Sequence, residues 1–586
     1  MPLNKQVAPL LSVILWVVNV HAQSVDFRID ANDLLRSINP FLYGINTARW
    51  DESLFPGPTD EMLLSCDRDA ISKIEASGIT LLKYPGGNDA DAYIWNSPDN
   101  NASEMDTDEY IALCREVGAE PFITVNFNAG PELAAAWVRY CNRERGYNVR
   151  YWEVGDEQWG TWAKGHAPPE VYAEKYVGFV KAMKDVDSTI KVATNVPLGP
   201  HPEQWTTRVL KAAGDHVDLL TYTFFPQKWG SENDDSLLAS VGVFRELLKT
   251  LRSDVEQALG KERAASLLTV NVGYNSVNHS PGPQTLEVVN ALWTARMLGA
   301  MAEAGTDIAC YWALHNAFPP RKGDYGYLSS EGSNTPSYTY YVFPMFTHHA
   351  GQNLISTSGG SSEVSLTATR SGKMLGLFFV NASKTAESSV SLGLQNFEPH
   401  PNIRAWILDE KQRNQPFDAV SVRGSRLALT LPPYSLVAVE ILRADSTLPP
   451  VNLAQDAQAT ASSFSTIGPH FGPESAVDGK PYTRWNSAAW TKSGGEEEQW
   501  YQLTWEGPVR LGRIRITWGE SFATDYRLLV SPDGVTWTEV AGEEGASGGI
   551  SELQFPPCEA RAVRMLGKRG SKGISAYSIR EFAAFE

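Results

Sequence analysis

One run of the sequence is dense in groups able to move protons: Tyr151-Trp152-Glu153-Val154-Gly155-Asp156-Glu157-Gln158-Trp159-Gly160. Glu153, Asp156 and Glu157 fall close together, behind an apolar run and around a glycine. A carboxyl group just past a buried strand can protonate a leaving oxygen, provided burial lifts its pKa toward neutrality. The same letters could instead open a capped helix. What decides between the two is the set of elements that positions them.

From residue 41 to 314, short apolar runs alternate with helical patterns. The runs predicted as strands are 41–46, 78–84, 121–127, 150–154, 190–195, 217–224, 267–272 and 308–314, with amphipathic stretches such as 131–141 and 172–183 between them. Eight such alternations predict a closed parallel (β/α)₈ barrel (a TIM barrel) rather than an open sheet. Barrels of this kind keep their chemistry where strands end and βα loops begin, so Glu157, past the fourth strand, faces the mouth. From about 357 to 442 the alternation becomes period two with no helix signal, which predicts a β-sandwich. The stretch RADSTLPP at 443–450 reads as a linker, and the rest is all-β with Gly- and Pro-marked turns. The expected domains are a leader at 1–22, a barrel at 23–350 whose first residues join the sandwich, the sandwich at 351–442, the linker, and a last domain at 451–586.

The acidic run resembles that of the retaining α-L-arabinofuranosidases and related clan A glycoside hydrolases, whose pattern is roughly W-E-x-G-N-E-x-x-G. The last Glu of that pattern is the acid/base and falls on Glu157. Asp156 replaces an Asn that in the family binds a substrate hydroxyl. Tyr84-Pro85-Gly86-Gly87-Asn88, with Tyr93 and Trp95, is similar to the family's second-strand loop, with Lys83 where Arg is usual. Asn126 and Asn128 match the end of the third strand. Tyr311-Trp312-Ala313-Leu314-His315-Asn316 matches the eighth, where Trp312 would floor the sugar subsite. The stretch 282–305 fits the helix after the seventh strand, so the resemblance covers nearly all of 38–350. It implies a substrate site formed by Asp156, Asn126, Asn88, Trp312, Thr223 and Phe225 around Glu157, with no cofactor for catalysis.

The seventh strand breaks the pattern. The family ends it with a nucleophilic Glu in a context like T-E-Y-N-S, whereas this chain reads Val272-Gly273-Tyr274-Asn275-Ser276. Gly273 stands at the nucleophile position, and the nearest acids along the chain are Glu262 and Glu287. Retaining hydrolysis needs two carboxyl groups about 5–5.5 Å apart, one of which forms a covalent sugar ester. The sixth strand departs in step: Thr223 and Phe225 stand where the family has a His and a Tyr that flank the nucleophile. An inverting site would need a second acid about 6.5–9.5 Å from Glu157. Asp89, Asp91 and Asp324 are the loop acids that could approach.

Residues 451–586 resemble discoidin, or coagulation-factor type C, domains. The matching stretches include Asn452-Leu453-Ala454, Ala476-Val477-Asp478-Gly479, Thr483-Arg484-Trp485-Asn486, Gln499-Trp500-Tyr501-Gln502-Leu503 and Ser531-Pro532-Asp533-Gly534. The resemblance implies glycan binding and a structural Ca²⁺ near Asp478, Thr483 and Glu581, whose oxygens suit that ion. Trp485 and Trp537 are expected in the core, and Trp490, in a loop, at a contact surface.

Composition sets outer limits. A net charge of −18 disfavours nucleic acid and anionic membranes as partners. Lys5, the apolar stretch 8–18 and Val20-His21-Ala22 read as an export signal, placing the mature chain outside the cytoplasm, secreted or periplasmic. No later run is long enough to span a bilayer. The five cysteines are dispersed and lack metal-ligand spacing, so free thiols are expected. The sequence thus leaves three readings: a glycan-binding barrel with a defective retaining site, an active glycoside hydrolase using Glu157 and an unplaced second group, or an adhesion protein acting through its last domain. The expected partner is a polysaccharide or glycan in each.

Overall fold

The structure, a computed structural model, describes residues 23–51, 67–98, 100, 104–329, 333–446, 450, 452–466, 471–479, 483–489, 498–519, 521–571 and 576–586. The stretch 1–22 expected to be a leader, Cys66 and Trp490 lie outside the described residues. Eight parallel strands close into a barrel in chain order: Gly44–Asn46, Leu81–Tyr84, Glu120–Val125, Tyr151–Val154, Lys191–Asn195, Leu219–Phe224, Leu268–Tyr274 and Ile308–Tyr311. They are covered on both faces, which is why they read as apolar runs rather than as alternating ones. Leu81, Phe122, Tyr151 and Val270 fill the barrel interior. Their strand neighbours Leu82, Ile123 and Trp152 face the surrounding helices. That two-fold alternation is a property of any strand.

The helices carry ordinary start signals. Thr107–Glu116 begins with a capping box in which Asp106 and Glu109 satisfy each other's backbone donors. Pro131–Arg139 and Pro169–Val186 each place a proline in the first turn, where its missing N–H costs nothing. Val288–Ala304 is buried nearly all round, because it is wedged between the barrel and the sandwich. At Gly299 a Cβ would fall 2.2 Å from Thr367 Oγ1 of the sandwich, so the glycine lets the helix seat against that side chain.

The second unit is one ten-stranded sheet. Gln23–Ser37, which precedes the barrel, lies within it, parallel to Ser388–Gln395 and antiparallel to Asn353–Gly359. Val25, Phe27 and Ile29 point into the sandwich core with Leu377, Phe379 and Val437. Phe378, Val380, Leu436 and Ala438 point the other way and join the barrel's core. Phe346, on the helix Tyr338–His349, stacks on Phe378 with ring centroids 4.0 Å apart. Among the described residues the last unit is a seven-stranded, antiparallel sheet around Trp485, Tyr501 and Phe582. Trp485 is core as expected, whereas Trp537 is half-buried on the outer face, where the Arg564 guanidinium lies 4.2 Å from its ring. Cys114, Cys141 and Cys310 are buried free thiols. No helix among the described residues is long and apolar enough to cross a membrane.

Candidate functional site

Two positions along from the apolar layer, the same strands turn charge into the barrel. Lys83, which follows Leu81, places its Nζ 3.2 Å from Glu153 Oε2 and 3.7 Å from Asp156 Oδ1. Thr124 Oγ1 donates to Glu153 Oε2 at 2.8 Å. Burial works against the Lys83 ammonium, yet the charges of Glu153 and Asp156 carry it above the usual lysine value. Burial likewise holds the Glu153 carboxyl above its ordinary range, against the pull of Lys83. This fully buried pair is the floor on which the mouth is built.

Glu157 stands on a left-handed backbone, φ +54°, which costs a non-glycine residue about 1–2 kcal/mol. Its neighbours hold it there. Asp91 Oδ2 accepts from the Asp156 N–H at 3.0 Å and from the Gln158 amide, and Asp91 Oδ1 accepts from the Phe127 N–H at 3.0 Å. Asn195 Oδ1 accepts from the Gln158 N–H at 2.9 Å, while its Nδ2 donates to Val154 O at 3.1 Å. Burial pushes the Asp91 carboxyl up to about 7. Asp91 is therefore a brace for the acidic turn, with both oxygens already engaged.

The Glu157 carboxylate is held from two sides. Thr223 Oγ1 donates to its Oε1, and Trp162 Nε1 donates to its Oε2 at 2.8 Å. Burial and the nearby Asp156 charge raise its pKa, opposed by the bonds from Thr223, Trp162 and Asn88. Asn88 Nδ2 also donates to Asp156 Oδ2.

Gly273 pairs with Thr223 across the sixth and seventh strands, beside an irregularity in the register. A Cβ built on Gly273 would lie 3.6 Å from Thr223 Cγ2, 3.6 Å from Phe225 Cζ and 3.7 Å from Phe225 Cε2. These are ordinary contacts, so a side chain has room to start there. It would meet a methyl group and a ring edge. Thr223 bridges the two positions, touching the space over Gly273 with its methyl and Glu157 with its hydroxyl. Gly273→Ala is accordingly expected to change stability by less than about 1 kcal/mol, the alanine narrowing the unfolded chain without strain. Urea denaturation reads this directly, and a loss of several kcal/mol would mean that the space does not exist.

Trp312 stands next to this wall, just past the eighth strand, its backbone N–H donating to Tyr274 O at 3.1 Å. Its ring lies on Gly87, where a Cβ would come within 2.7 Å of Cη2, and its Nε1 donates to Asn316 Oδ1 at 3.2 Å. Gly87 thus makes room for this indole, and Gly86 before it makes room for Trp50. Phe225 turns its edge to Tyr325, centroids 6.5 Å apart. Asn126 is placed differently from its assigned role. Its Nδ2 donates to Tyr93 O at 3.1 Å and its Oδ1 accepts from the N–H groups of Asn128 and Ala129, so it ties loops together beneath the mouth. Asp89 pairs with Lys164 at the surface, 3.3 Å away. Asp324 is buried, accepting from the Gly326 N–H at 2.6 Å.

Sequence reasoning passed over Trp162. The signal was its place five residues after Glu157 in the same loop, behind Gly160, where a Cβ would come within 2.5 Å of the indole. In the last domain Thr483 Oγ1 donates to Asp478 Oδ1 at 2.7 Å. Burial, with the Asp478 charge beside it, pushes the Glu581 carboxyl up to about 7.

Comparison with known proteins agrees with this architecture. Residues 458–582 match the F5/8 type C domain family. The probable α-L-arabinofuranosidase C of Aspergillus clavatus is 28% identical in an alignment of 207 positions that covers 29% of this chain and 41% of that protein. The chain thus spans about two fifths of the length of that relative. The intracellular exo-α-(1→5)-L-arabinofuranosidase of Streptomyces lividans is 20% identical over 495 residues, covering 70% of this chain and 74% of that one. Among solved structures, the α-L-arabinofuranosidase of Thermotoga maritima in complex with arabinose superposes with a TM-score of 0.61 at 20% identity, covering 72% of this chain and all of that one. The family 51 α-L-arabinofuranosidase of Thermotoga petrophila gives 0.62 at 21% identity, over 71% of this chain. These likenesses show the fold of the barrel and sandwich.

Proposed function

We infer that this chain, which joins an arabinofuranosidase-like barrel and sandwich to an F5/8 type C domain, binds arabinofuranosyl glycans in the barrel mouth and does not cleave them by the two-carboxylate route. The observation that carries this reading is the surroundings of Gly273: the three atoms nearest a Cβ there belong to Thr223 and Phe225. A retaining site needs a carboxylate at that wall, facing the acid/base. Glu157, Asp156, Asn88 and Trp312 supply what a sugar ring requires, namely hydroxyl-binding oxygens and amide beside an aromatic face. Asp91, a buried acid against this loop, has both oxygens engaged, one by the turn that carries Glu157 and the other by the Phe127 N–H. Calorimetric titration with a linear arabino-oligosaccharide tests the binding: wild type should bind and Glu157→Ala should bind at least about tenfold more weakly. Equal affinity of the two proteins would place the sugar elsewhere.

The last domain is proposed to add a second glycan contact and to hold Ca²⁺. Asp478, Thr483 and Glu581 offer hard oxygen donors, and burial, with the Asp478 charge beside it, holds the Glu581 carboxyl up at about 7. A carboxyl group whose folded pKa is raised contributes stability below its unfolded value, and this is lost as pH rises through about 7. Ca²⁺ replaces the proton, so it should stabilise the full chain more at pH 8 than at pH 5. In thermal unfolding at both pH values, an equal Ca²⁺ shift, or none, would remove the ion from this account. Export is proposed from the leader-like first residues, and a mature N-terminus at Gln23 would support it.

A further inference from the structure

We propose that the barrel mouth is built for a glycan of several residues, with Trp50, Trp162 and Trp229 as separate stacking positions around Glu157. This rests on the glycan-binding reading above and extends it from one sugar to a chain. The starting observation is where the chain exposes its indoles. Among the described residues only these three tryptophans are exposed, at 39%, 60% and 45%. All three lie at the same end of the barrel. Trp50 follows the first strand, Trp162 the fourth and Trp229 the sixth.

Each ring is held in place rather than free to collapse. Trp50 Nε1 donates to His315 O at 2.8 Å, and its ring lies against Gly86, where a Cβ would approach to 3.1 Å. Trp162 Nε1 is bound to Glu157, and its ring meets Trp159 edge-on, centroids 5.0 Å apart. The backbone N–H of Trp229 donates to Asn278 Oδ1 at 3.2 Å, with the Arg321 guanidinium 5.7 Å from its ring and the His279 ring 6.1 Å away. The polar edges of Trp50 and Trp162 are satisfied inward, leaving an apolar face for a partner.

The surroundings decide the kind of partner. Ion pairs accompany two of the rings: Lys164, two residues after Trp162, pairs with Asp89, and Arg321, beside Trp229, pairs with Glu232. A protein partner would call for a contiguous apolar centre free of charge. A sugar chain presents flat C–H faces alternating with hydroxyl groups, which matches indoles interleaved with charged donors and acceptors. Spacing then sets the size. The first and fourth strands are three places apart round the barrel, about 14 Å along the sheet at roughly 4.8 Å per strand. Trp50 and Trp162 are accordingly assigned to different sugars of one chain.

The test is calorimetric titration of the full chain with methyl α-L-arabinofuranoside and with α-(1→5)-linked arabino-oligosaccharides of increasing length. Wild type, Trp50→Ala and Trp229→Ala are compared after their thermal unfolding is shown to match. Affinity of the wild type should rise at least about tenfold from the monosaccharide to the longest oligomer. Each variant should lose about tenfold on that oligomer while its monosaccharide affinity stays within about twofold. Affinity independent of chain length, or variants equal to wild type on the longest oligomer, would overturn the extended site and leave monosaccharide binding standing. Absence of binding for every ligand would overturn both readings.

Discussion

Wild-type protein is expected to release para-nitrophenol from para-nitrophenyl α-L-arabinofuranoside at least about 10⁴-fold more slowly than a retaining enzyme with both carboxylates, and to speed up when azide is added. The position over Gly273 is bounded by the Thr223 methyl and the Phe225 ring, each 3.6 Å from where a Cβ would stand, and a small anion is expected to enter there. Azide there attacks the anomeric carbon as the bond to the phenol oxygen breaks, and Glu157 can supply the proton that oxygen takes up. The product is the glycosyl azide of inverted configuration, because only one displacement occurs. Gly273→Glu alone should restore little. A carboxylate against the edge of Phe225 is poorly solvated, so its pKa rises and fewer molecules carry the nucleophilic form. Gly273→Glu with Phe225→Tyr and Thr223→His provides two polar partners and should exceed the single variant by at least about tenfold. If the single variant matches the triple, the wall described around Gly273 is wrong in its polarity.

The second large effect lies beneath the mouth. Lys83→Met is expected to destabilise the barrel by about 3–5 kcal/mol at neutral pH, because it strands Glu153 as an uncompensated buried charge. The melting temperature should fall by about 10 °C. The sign of the pH dependence follows from the Glu153 carboxyl, whose folded pKa is already above its ordinary value and rises further without Lys83. Stability from such a group is present at low pH and lost as pH rises through the folded pKa, so the damage should be smallest in acid and largest in alkali. Pairing Lys83→Met with Glu153→Leu removes both charges and should recover most of the loss. A single variant that melts within about 2 °C of wild type at pH 8 would show that the pair is not buried as described.

Much of the scaffold was open to reading in advance, because a buried parallel strand needs several apolar residues in a row whatever its partners. The eight runs from 41 to 314 are of that kind. Val25, Phe27, Ile29 and Ala31 alternate as a strand must, but their pairing with Ser388–Gln395 spans most of the chain and leaves no local mark. In the site, Glu157 and Gly273 follow from their places at strand ends. The contacts that set their chemistry do not. Thr223, on the sixth strand, reaches Glu157 beyond the end of the fourth, and Asp91 reaches Asp156 from the segment after the second. The letters point to Thr223 and Asp91 but do not say that the hydroxyl of one binds Glu157 or that the carboxylate of the other braces the turn. Asn126 shows the converse, a residue of the expected type in the expected place whose polar atoms serve the backbone instead.

The central claim is that the mouth receives an arabinofuranosyl glycan without cleaving it by double displacement. It is tested most directly by a proton NMR time course of wild-type protein with an α-(1→5)-linked arabino-oligosaccharide and no added anion. The expected result is broadening or shift of sugar resonances on binding, with anomeric signals of constant intensity for a day. Steady appearance of free L-arabinose, first seen with retained anomeric configuration, would contradict it.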